Sequence, residues 1–242
     1  MARRTQGTSA GLSRERIAAA AVALVDRDGL ERFGVRRLAD ELGVDPMSIY
    51  NHIKGKAALL DAVSEAVLTE MAINAEGAPD TWEEIARWTA HNYRETAYRH
   101  PHVIPLLATR PQNSPPALAT LEQLVTAMRT AGLPDQVISD APLVLFGFLN
   151  GYLLAVLNGG SDGAATVPAI DPMLYPTMAA LAPTMADFGS VAEFDRMLDA
   201  VLGGIRDRTA WQATEERAGH NDGKAKPPIV RQGSGSRADP TG

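Results

Sequence analysis

The sequence predicts an all-α fold, with a unit of short helices near the N-terminus followed by a larger helical body. Aromatic residues make up only 5% of the 242 residues, whereas Ala and Leu are abundant. Runs in which Val, Ile, Thr or Tyr alternate with polar residues, the pattern typical of strands, are missing. Apolar residues instead recur every three or four positions. We therefore expect helices almost throughout.

Length and composition fit a globular protein with a sizeable core, since 45% of the residues are hydrophobic. The chain has no cysteine, which excludes disulfides and thiol chemistry and fits a reducing cytoplasm. Two apolar runs, Ile17–Val25 and Ala141–Leu157, are too short or too interrupted for a signal peptide or a membrane span. We expect a cytoplasmic protein without a membrane partner.

The formal net charge of -6 is unevenly distributed along the chain. Residues 1–60 carry ten Lys and Arg against seven Asp and Glu, a net of +3, and the remainder carries a net of -9. A positive end can be attracted to phosphate groups while an acidic body is held away from them. This asymmetry is compatible with nucleic-acid binding by the N-terminal part.

The chain divides into four stretches. Residues 1–12 predict a disordered arm, and whether its arginines enter a minor groove stays open. Residues 13–56 form the N-terminal unit, whose first helix should follow a capping Ser13 and end near Asp28. Residues 57–210 form the helical body, with a last helix ending near Thr209. Residues 211–242 hold mostly Gly, Ser, Pro and charge and predict a disordered tail.

The stretch Val35–Lys56 predicts a helix-turn-helix. Apolar residues recur at the spacing of two short helices, namely Leu38, Ala39 and Leu42 in the first, and Ile49 and Ile53 in the second. Gly43 can end the first helix in a left-handed conformation, and Asp45 can cap the second just ahead of Pro46. The small Ala39 lets the two helices cross closely.

The second of these helices should turn its other side outward. The residues predicted to face outward are Pro46, Met47, Ser48, Tyr50, Asn51 and His52. Side chains on a protruding helix of this kind read base edges and phosphates in the major groove. Tyr50 has a second interpretation, because it can pack between helices and leave only its hydroxyl exposed. The two interpretations of Tyr50 are compatible with each other.

Three sequence motifs resemble the DNA-binding domain of the TetR (tetracycline repressor) family of bacterial regulators. They are LADELGV at 38–44, SIYNH at 48–52 and KGKAALLDA at 54–62. The resemblance covers about residues 13–70. Further along, Trp82, the Arg110–Pro111 pair and the apolar helix near residue 150 resemble the ligand-binding half of the tetracycline repressors. The resemblance implies a DNA-binding domain joined to a ligand-binding and dimerisation domain.

The resemblance also assigns DNA contacts. Arg36 stands where the tetracycline repressors contact guanine, and Lys56 stands where they contact a phosphate. The predicted set is Arg36, Pro46, Met47, Ser48, Tyr50, Asn51, His52, Lys54 and Lys56. Pro46 and Met47 replace a polar residue followed by proline in those relatives, so their operator sequence does not transfer to this chain.

A helix predicted over about 81–99 carries polar residues on its inward stripe, which indicates either a ligand wall or an ordinary packed core. The predicted ligand contacts are Trp88, Thr89, Asn92, Tyr93, Leu106, Phe146 and Asn150. By the resemblance, the positions of the metal-recognising histidines of the tetracycline repressors hold Met71 or Ala72 and Leu106 or Leu107. We therefore expect a partly apolar effector other than tetracycline with magnesium.

Two late apolar helices predict a homodimer interface, as the resemblance also implies. The predicted interface residues are Phe148, Tyr152, Phe194, Leu198, Val201 and Ile205. Gly147 and Gly151, four residues apart, would let a second backbone approach closely. His100 and His102 alone do not make a metal site, so we predict no metal and no cofactor.

The sequence therefore predicts a dimeric, cytoplasmic repressor that a small molecule releases from a palindromic double-stranded DNA operator. An activator or a ligand-independent regulator of the same fold is the alternative. A helical carrier or an enzyme is the remote alternative, because no nucleophile-and-base pair or phosphate-binding loop is present.

Overall fold

The computed structural model describes residues 11–73, 81–110, 112–158 and 170–222. Within these ranges the chain forms ten α-helices, one short 3-10 turn and no strand. The predicted all-α class is thereby confirmed. The predicted arm at 1–10, the loop at 74–80, most of the glycine-rich loop at 158–166 and the tail beyond residue 222 lie outside the described residues.

Three helices build the N-terminal unit, which we call the head: α1 Arg14–Asp28, α2 Val35–Leu42 and α3 Pro46–His52. α1 begins as predicted, because the Ser13 side chain accepts a hydrogen bond from the Arg16 N–H at 3.2 Å. It ends as predicted at Gly29, which has a φ of 77°. Phe33 closes the head core from the turn before α2.

The remaining helices build the body: α4 Gly55–Ile73, α5 Trp82–Arg99, α6 Ile104–Thr109, α7 Pro115–Thr130, α8 Asp135–Asn158, α9 Pro176–Leu181 and α10 Val191–Asp222. α4 packs against α1 of the head and also against α5, α6 and α7. It therefore belongs to both parts and joins them. α8 contacts α5, α6, α7 and α10, so it lies at the centre of the body.

α8 is long and apolar enough to cross a membrane, with a mean hydropathy of 1.6 over Asp135–Leu157. One face of α8 nevertheless packs inside the protein, where Leu145, Leu149 and Leu153 are fully buried. α8 thus packs as the core helix that its sequence predicts.

Two helix boundaries differ from the sequence predictions. α10 continues to Asp222 instead of ending near Thr209, and so extends into the predicted tail at 211–242. The stretch Gln212–Ala218 explains this, because it contains no glycine or proline and several strong helix formers. α9 starts at Pro176 rather than near residue 172, since a turn precedes it.

Candidate nucleic-acid interface and effector cavity

The turn between α2 and α3 has the geometry that its sequence predicts. Gly43 adopts the left-handed conformation, with φ 66° and ψ 30°, and the Val44 N–H donates to the Ala39 carbonyl at 3.0 Å. The Asp45 carboxylate accepts a hydrogen bond from the Met47 N–H at 2.8 Å and so caps α3. These local signals fix the angle at which α3 leaves the head.

Apolar contacts hold α2 and α3 together beneath this turn. Leu38, Ala39 and Ile49 have no exposed surface, and Ile53 has almost none. Ala39 lies at the crossing of the two helices, where a larger side chain would push them apart. The head is therefore a rigid support for α3.

Two ion pairs fasten α2 to α1 on the surface of the head. Arg27 contacts Glu41 at 2.9 Å, and its hydrogen bond lowers the pKa of the Glu41 carboxyl. Arg37 contacts Asp28 at 2.7 Å and also donates to the Arg32 carbonyl at 3.2 Å. Both arginines are engaged in holding the head together.

Arg36 differs from its neighbour Arg37. It is exposed at the start of α2 and has no hydrogen-bond or ion-pair partner among the described residues. Its guanidinium is therefore available for a group outside the chain. A planar guanidinium matches the two acceptors on the guanine edge.

None of the nine predicted DNA-contacting residues is buried. The exposed ones are Arg36, Met47, Asn51, His52, Lys54 and Lys56. The partly buried ones are Pro46, Ser48 and Tyr50. Met47, at 65% exposure, is the most exposed apolar residue of the head. Tyr50 fits both interpretations of it, since part of its ring packs and part stays accessible.

A histidine bridge connects the head to the body. His100 Nδ1 lies 2.7 Å from the Asp26 carboxylate of α1, and His100 Nε2 lies 3.0 Å from the Glu70 carboxylate of α4. Arg99 also pairs with Glu70. His102 donates from Nδ1 to the Asp26 carbonyl at 3.0 Å, because a carbonyl oxygen can only accept. Three helices and the turn before α6 therefore meet at one imidazole.

The body contains a cavity of about 280 Å³ between α4, α5, α6, α7 and α8. Its lining consists of Leu68, Met71, Thr89, Tyr93, Leu107, Gln112, Pro116, Ala117, Thr120, Leu121, Pro142, Leu143, Phe146 and Asn150. The Tyr93 and Phe146 rings meet edge to face, with centroids 5.8 Å apart. An apolar wall with a few polar groups is typical of a small-molecule site.

The polar groups of the cavity differ in whether they have partners. The Tyr93 hydroxyl donates to Asn150 Oδ1 at 2.6 Å, and burial raises the pKa of the Tyr93 phenol, which keeps it protonated. Thr120 donates to the Pro116 carbonyl at 3.2 Å. Thr89 is only 1% exposed, yet its hydroxyl has no partner among the described residues. A buried hydroxyl without a hydrogen bond destabilises the folded protein. A ligand group that hydrogen-bonds to Thr89 would remove this cost.

The structure brings four of the seven predicted ligand contacts to the cavity wall, namely Thr89, Tyr93, Phe146 and Asn150. Trp88, Asn92 and Leu106 do not line it. Asn92 Nδ2 instead donates to the Met71 carbonyl at 3.5 Å, which joins α5 to α4. At the adjacent position Leu107, rather than Leu106, is on the wall.

Sequence reasoning missed the contribution of α7 and of the turn before it. The missed wall residues there are Gln112, Pro116, Ala117, Thr120 and Leu121. Partly buried apolar and small residues at i, i+1, i+4 and i+5 of α7 were the available signal. That pattern does not distinguish a cavity wall from a packed core.

Most of the predicted dimer residues are buried against other residues of the same chain. Phe194 and Leu198 are fully buried, so they cannot offer a surface to a second chain, and this part of the prediction is wrong. Tyr152 is buried too, and its hydroxyl donates to the Glu193 carboxylate at 3.0 Å. An amphipathic pattern predicts burial but does not say whether the partner is the same chain.

Of the other predicted dimer residues, Phe148 and Val201 are partly buried and Ile205 is buried. Phe148 is partly buried and stacks on Phe194, with ring centroids 5.9 Å apart. Val201 and Ile205 line a shallow groove between α8 and α10. Along the outer side of α8 the exposed residues are Leu143, Val144, Gly147, Gly151 and Ala155. This apolar, small-residue face has no cover within the described chain.

Comparison with known proteins identifies both parts. The family model for bacterial regulatory proteins of the tetR family matches residues 17–63, and that for the tetracyclin repressor-like C-terminal domain matches residues 76–209. The HTH-type transcriptional repressor DrrR1 of Streptomyces coeruleorubidus is 31% identical over 198 residues, which cover 74% of this chain and 72% of the relative.

Two further comparisons agree with this result. An HTH-type transcriptional regulator of Saccharopolyspora erythraea is 31% identical over 202 residues, covering 80% of this chain and 84% of the relative. The structure of ActR from Streptomyces coelicolor in complex with actinorhodin matches with a TM-score of 0.71 and 23% identity, covering 83% of this chain and 98% of that one. The likeness to ActR shows a shared fold.

Proposed function

Given that the chain belongs to the TetR family of bacterial regulatory proteins, we propose that it is a homodimeric repressor released from a palindromic operator by a small molecule. It is a DNA-binding transcriptional regulator, and it would act in the cytoplasm. The observation that carries the proposal is the position of α4. This helix follows α3 directly and also supplies Leu68 and Met71 to the cavity wall.

DNA contact by α3 and the start of α2 is supported by the preformed turn and by the unpaired guanidinium of Arg36. A bidentate contact to guanine discriminates by about 1–3 kcal/mol against the wrong base. Exposed Lys54 and Lys56, next to the N-terminus of α4, would contact phosphates.

Dimer formation is supported by the uncovered face of α8. Val144 is 43% exposed, and a Cβ added to Gly147 or Gly151 would meet none of the described residues' atoms within 4 Å outside its own stretch of helix. A second copy could therefore approach this face closely. A two-fold arrangement would put the recognition helices in successive major grooves, about 34–36 Å apart.

Release by a ligand is supported by the contact between the cavity and α4. A molecule that binds better when α4 has another tilt would favour a spacing of the two heads that no longer fits the operator. ActR, whose fold this chain shares, has been solved with actinorhodin bound. A small-molecule effector in this fold is thus chemically reasonable for this chain.

The test is fluorescence anisotropy with DNA fragments from upstream of the protein's own gene, at two salt concentrations. The Arg36→Ala, Tyr50→Ala double variant should lose tight binding of one fragment and keep weak binding to random DNA. Arg32→Ala is the matched control, because Arg32 is equally exposed and lies before α2. If the double variant and the control behave alike, Arg36 and Tyr50 do not read the operator.

A further inference from the structure

The chemical class of the effector can be inferred from the groups that the cavity wall presents. Of the lining residues, only Tyr93 is ionisable, and burial raises the pKa of its phenol further. No Asp, Glu, His, Lys or Arg is on the described wall. A carboxylate, an ammonium group or a hydrated metal ion placed there would lose its water shell without gaining a charged partner.

Thr89 and Thr96 show how the wall differs from an ordinary core. Both lie on α5, both are 1% exposed, and both carry a hydroxyl. The Thr96 hydroxyl has a partner, because Arg99 donates to it at 3.3 Å. The Thr89 hydroxyl has no partner in the part of the chain that the structure describes, and it belongs to the cavity wall. A hydroxyl in this position can donate to or accept from a bound molecule.

Asn150 supplies a second unpaired group. Its Oδ1 accepts from the Tyr93 hydroxyl, which fixes the orientation of the amide. The Nδ2 therefore carries two N–H donors that have no partner among the described residues. Tyr93 lies one turn after Thr89 on α5, so the two share a helix face and both belong to the cavity wall.

We propose that the effector is an uncharged, largely apolar molecule that binds without a metal ion and presents a carbonyl oxygen to Thr89 and Asn150. This inference rests on the proposed ligand-released repressor and specifies its ligand. Both protein groups can donate to the same kind of acceptor. The other polar wall residues donate within the chain, Gln112 to the Leu107 and Arg110 carbonyls and Thr120 to the Pro116 carbonyl, and most of the remaining wall is apolar. A cavity of about 280 Å³ fits a molecule of two or three fused rings.

The experiment uses three bicyclic probes that differ in one group: 1-tetralone, which has a carbonyl, tetralin, which lacks it, and 1-tetralincarboxylate, which carries a negative charge. Binding to the full-length protein is measured by isothermal titration calorimetry. We expect 1-tetralone to bind about fivefold to tenfold more tightly than tetralin, the usual effect of one or two hydrogen bonds. The carboxylate should not bind detectably.

Thr89→Val is the informative variant and Thr96→Val its matched control. Thr89→Val should remove most of the preference for 1-tetralone and leave tetralin binding unchanged, whereas Thr96→Val should leave both unchanged. Thermal unfolding without probe checks folding. Thr89→Val should not lower the Tm, because it deletes a hydroxyl that has no partner.

The outcomes separate this inference from the proposed function. Carboxylate binding as tight as ketone binding, or equal effects of the two valine substitutions, would overturn the neutral-carbonyl inference while leaving a ligand-released repressor intact. No binding of any probe, together with specific operator binding, would overturn the inference and the cavity as the effector site. A carbonyl preference that depends on Thr89 supports the inference.

Discussion

The recognition turn of the head and the cavity wall of the body differ in how their hydrogen-bonding groups are satisfied. In the head, Ser13 and Asp45 cap α1 and α3, and two arginines are engaged in ion pairs between α1 and α2. In the body, Thr81 caps α5, but Ser114 makes no cap hydrogen bond at α7, and the Thr89 hydroxyl on the cavity wall has no partner among the described residues. Of five buried polar side-chain atoms without partners in the described residues, four belong to the body: those of Thr89, Arg94, Ser114 and Asp187.

This difference indicates that the head has to keep one conformation, whereas the body has to respond to a bound ligand. Satisfied groups stabilise a single arrangement, which suits a surface that has to match DNA. Polar groups without a hydrogen-bond partner can form a hydrogen bond to a ligand, which then contributes to the free energy of binding. Substitutions that remove tight packing from the head, or that block an open surface of the body, test this contrast.

The largest stability effect is expected where the head is most tightly packed. Ile49→Ala deletes a side chain with no exposure beneath α3, and it should lower the free energy of unfolding by about 3 kcal/mol. Met47→Ala, on the same short helix but 65% exposed, should change it by about 0.5 kcal/mol or less. Urea denaturation measures both. Equal losses would mean that α3 does not pack as described.

The next effect concerns the open face of the body. Gly147→Glu puts a charge on the exposed side of α8, where it meets nothing in the chain itself. The variant should sediment as a monomer and bind the operator about 100-fold more weakly, because linked half-sites gain about 10² to 10⁴ in affinity. Leu118→Glu, also exposed but on α7, is the control. A dimer that survives Gly147→Glu would place the interface elsewhere.

A smaller effect on stability is expected at two helix N-caps, one of which makes a capping hydrogen bond while the other does not. Asp45→Ala removes the acceptor of the 2.8 Å hydrogen bond at the start of α3 and should cost about 1 kcal/mol. Ser114→Ala, at the corresponding position of α7, should cost about 0.3 kcal/mol or less, since its hydroxyl makes no bond. Thermal unfolding compares the two, and the reverse order would contradict the contrast.

The smallest effect is a pH dependence in the head. The bond from Arg27 lowers the folded-state pKa of Glu41 below its ordinary value of 4.5. Its stabilisation is therefore present above that value and is lost as the pH falls through the folded-state pKa. Glu41→Gln should lower the Tm slightly at pH 7, and the difference from the unchanged protein should shrink as the pH is lowered below 4.5. Glu31→Gln, exposed and without an ion pair in the described residues, should have no such pattern.

The head could be predicted from sequence because its signals are local. Gly43, Asp45 and Pro46 act within one or two residues of where they stand, and the structure confirms each. The His100 bridge could not be predicted, since its partners Asp26 and Glu70 lie 74 and 30 residues away. No periodicity in the chain links such positions.

The body was predicted less completely for a related reason. Its cavity is assembled from five helices. Which residue of a partly buried stripe faces the cavity depends on how those helices are rotated about their own axes. The rotation of α6 puts Leu107 rather than Leu106 on the wall. Gln112 also lines the cavity, although it belongs to the turn before α7 and not to a helix. Phe194 shows a second limit, since an apolar face does not reveal whether its partner is in the same chain.

The His100 imidazole is one of the contacts that join the head to the body. Both of its nitrogens are engaged, one by α1 and one by α4. A relative shift of these two helices by more than about 1 Å would break one of the two hydrogen bonds. The ring therefore resists small movements of α4 relative to α1, in addition to the direct packing of the two helices. A larger displacement of α4 breaks the bridge, so the bridge adds a threshold to that movement.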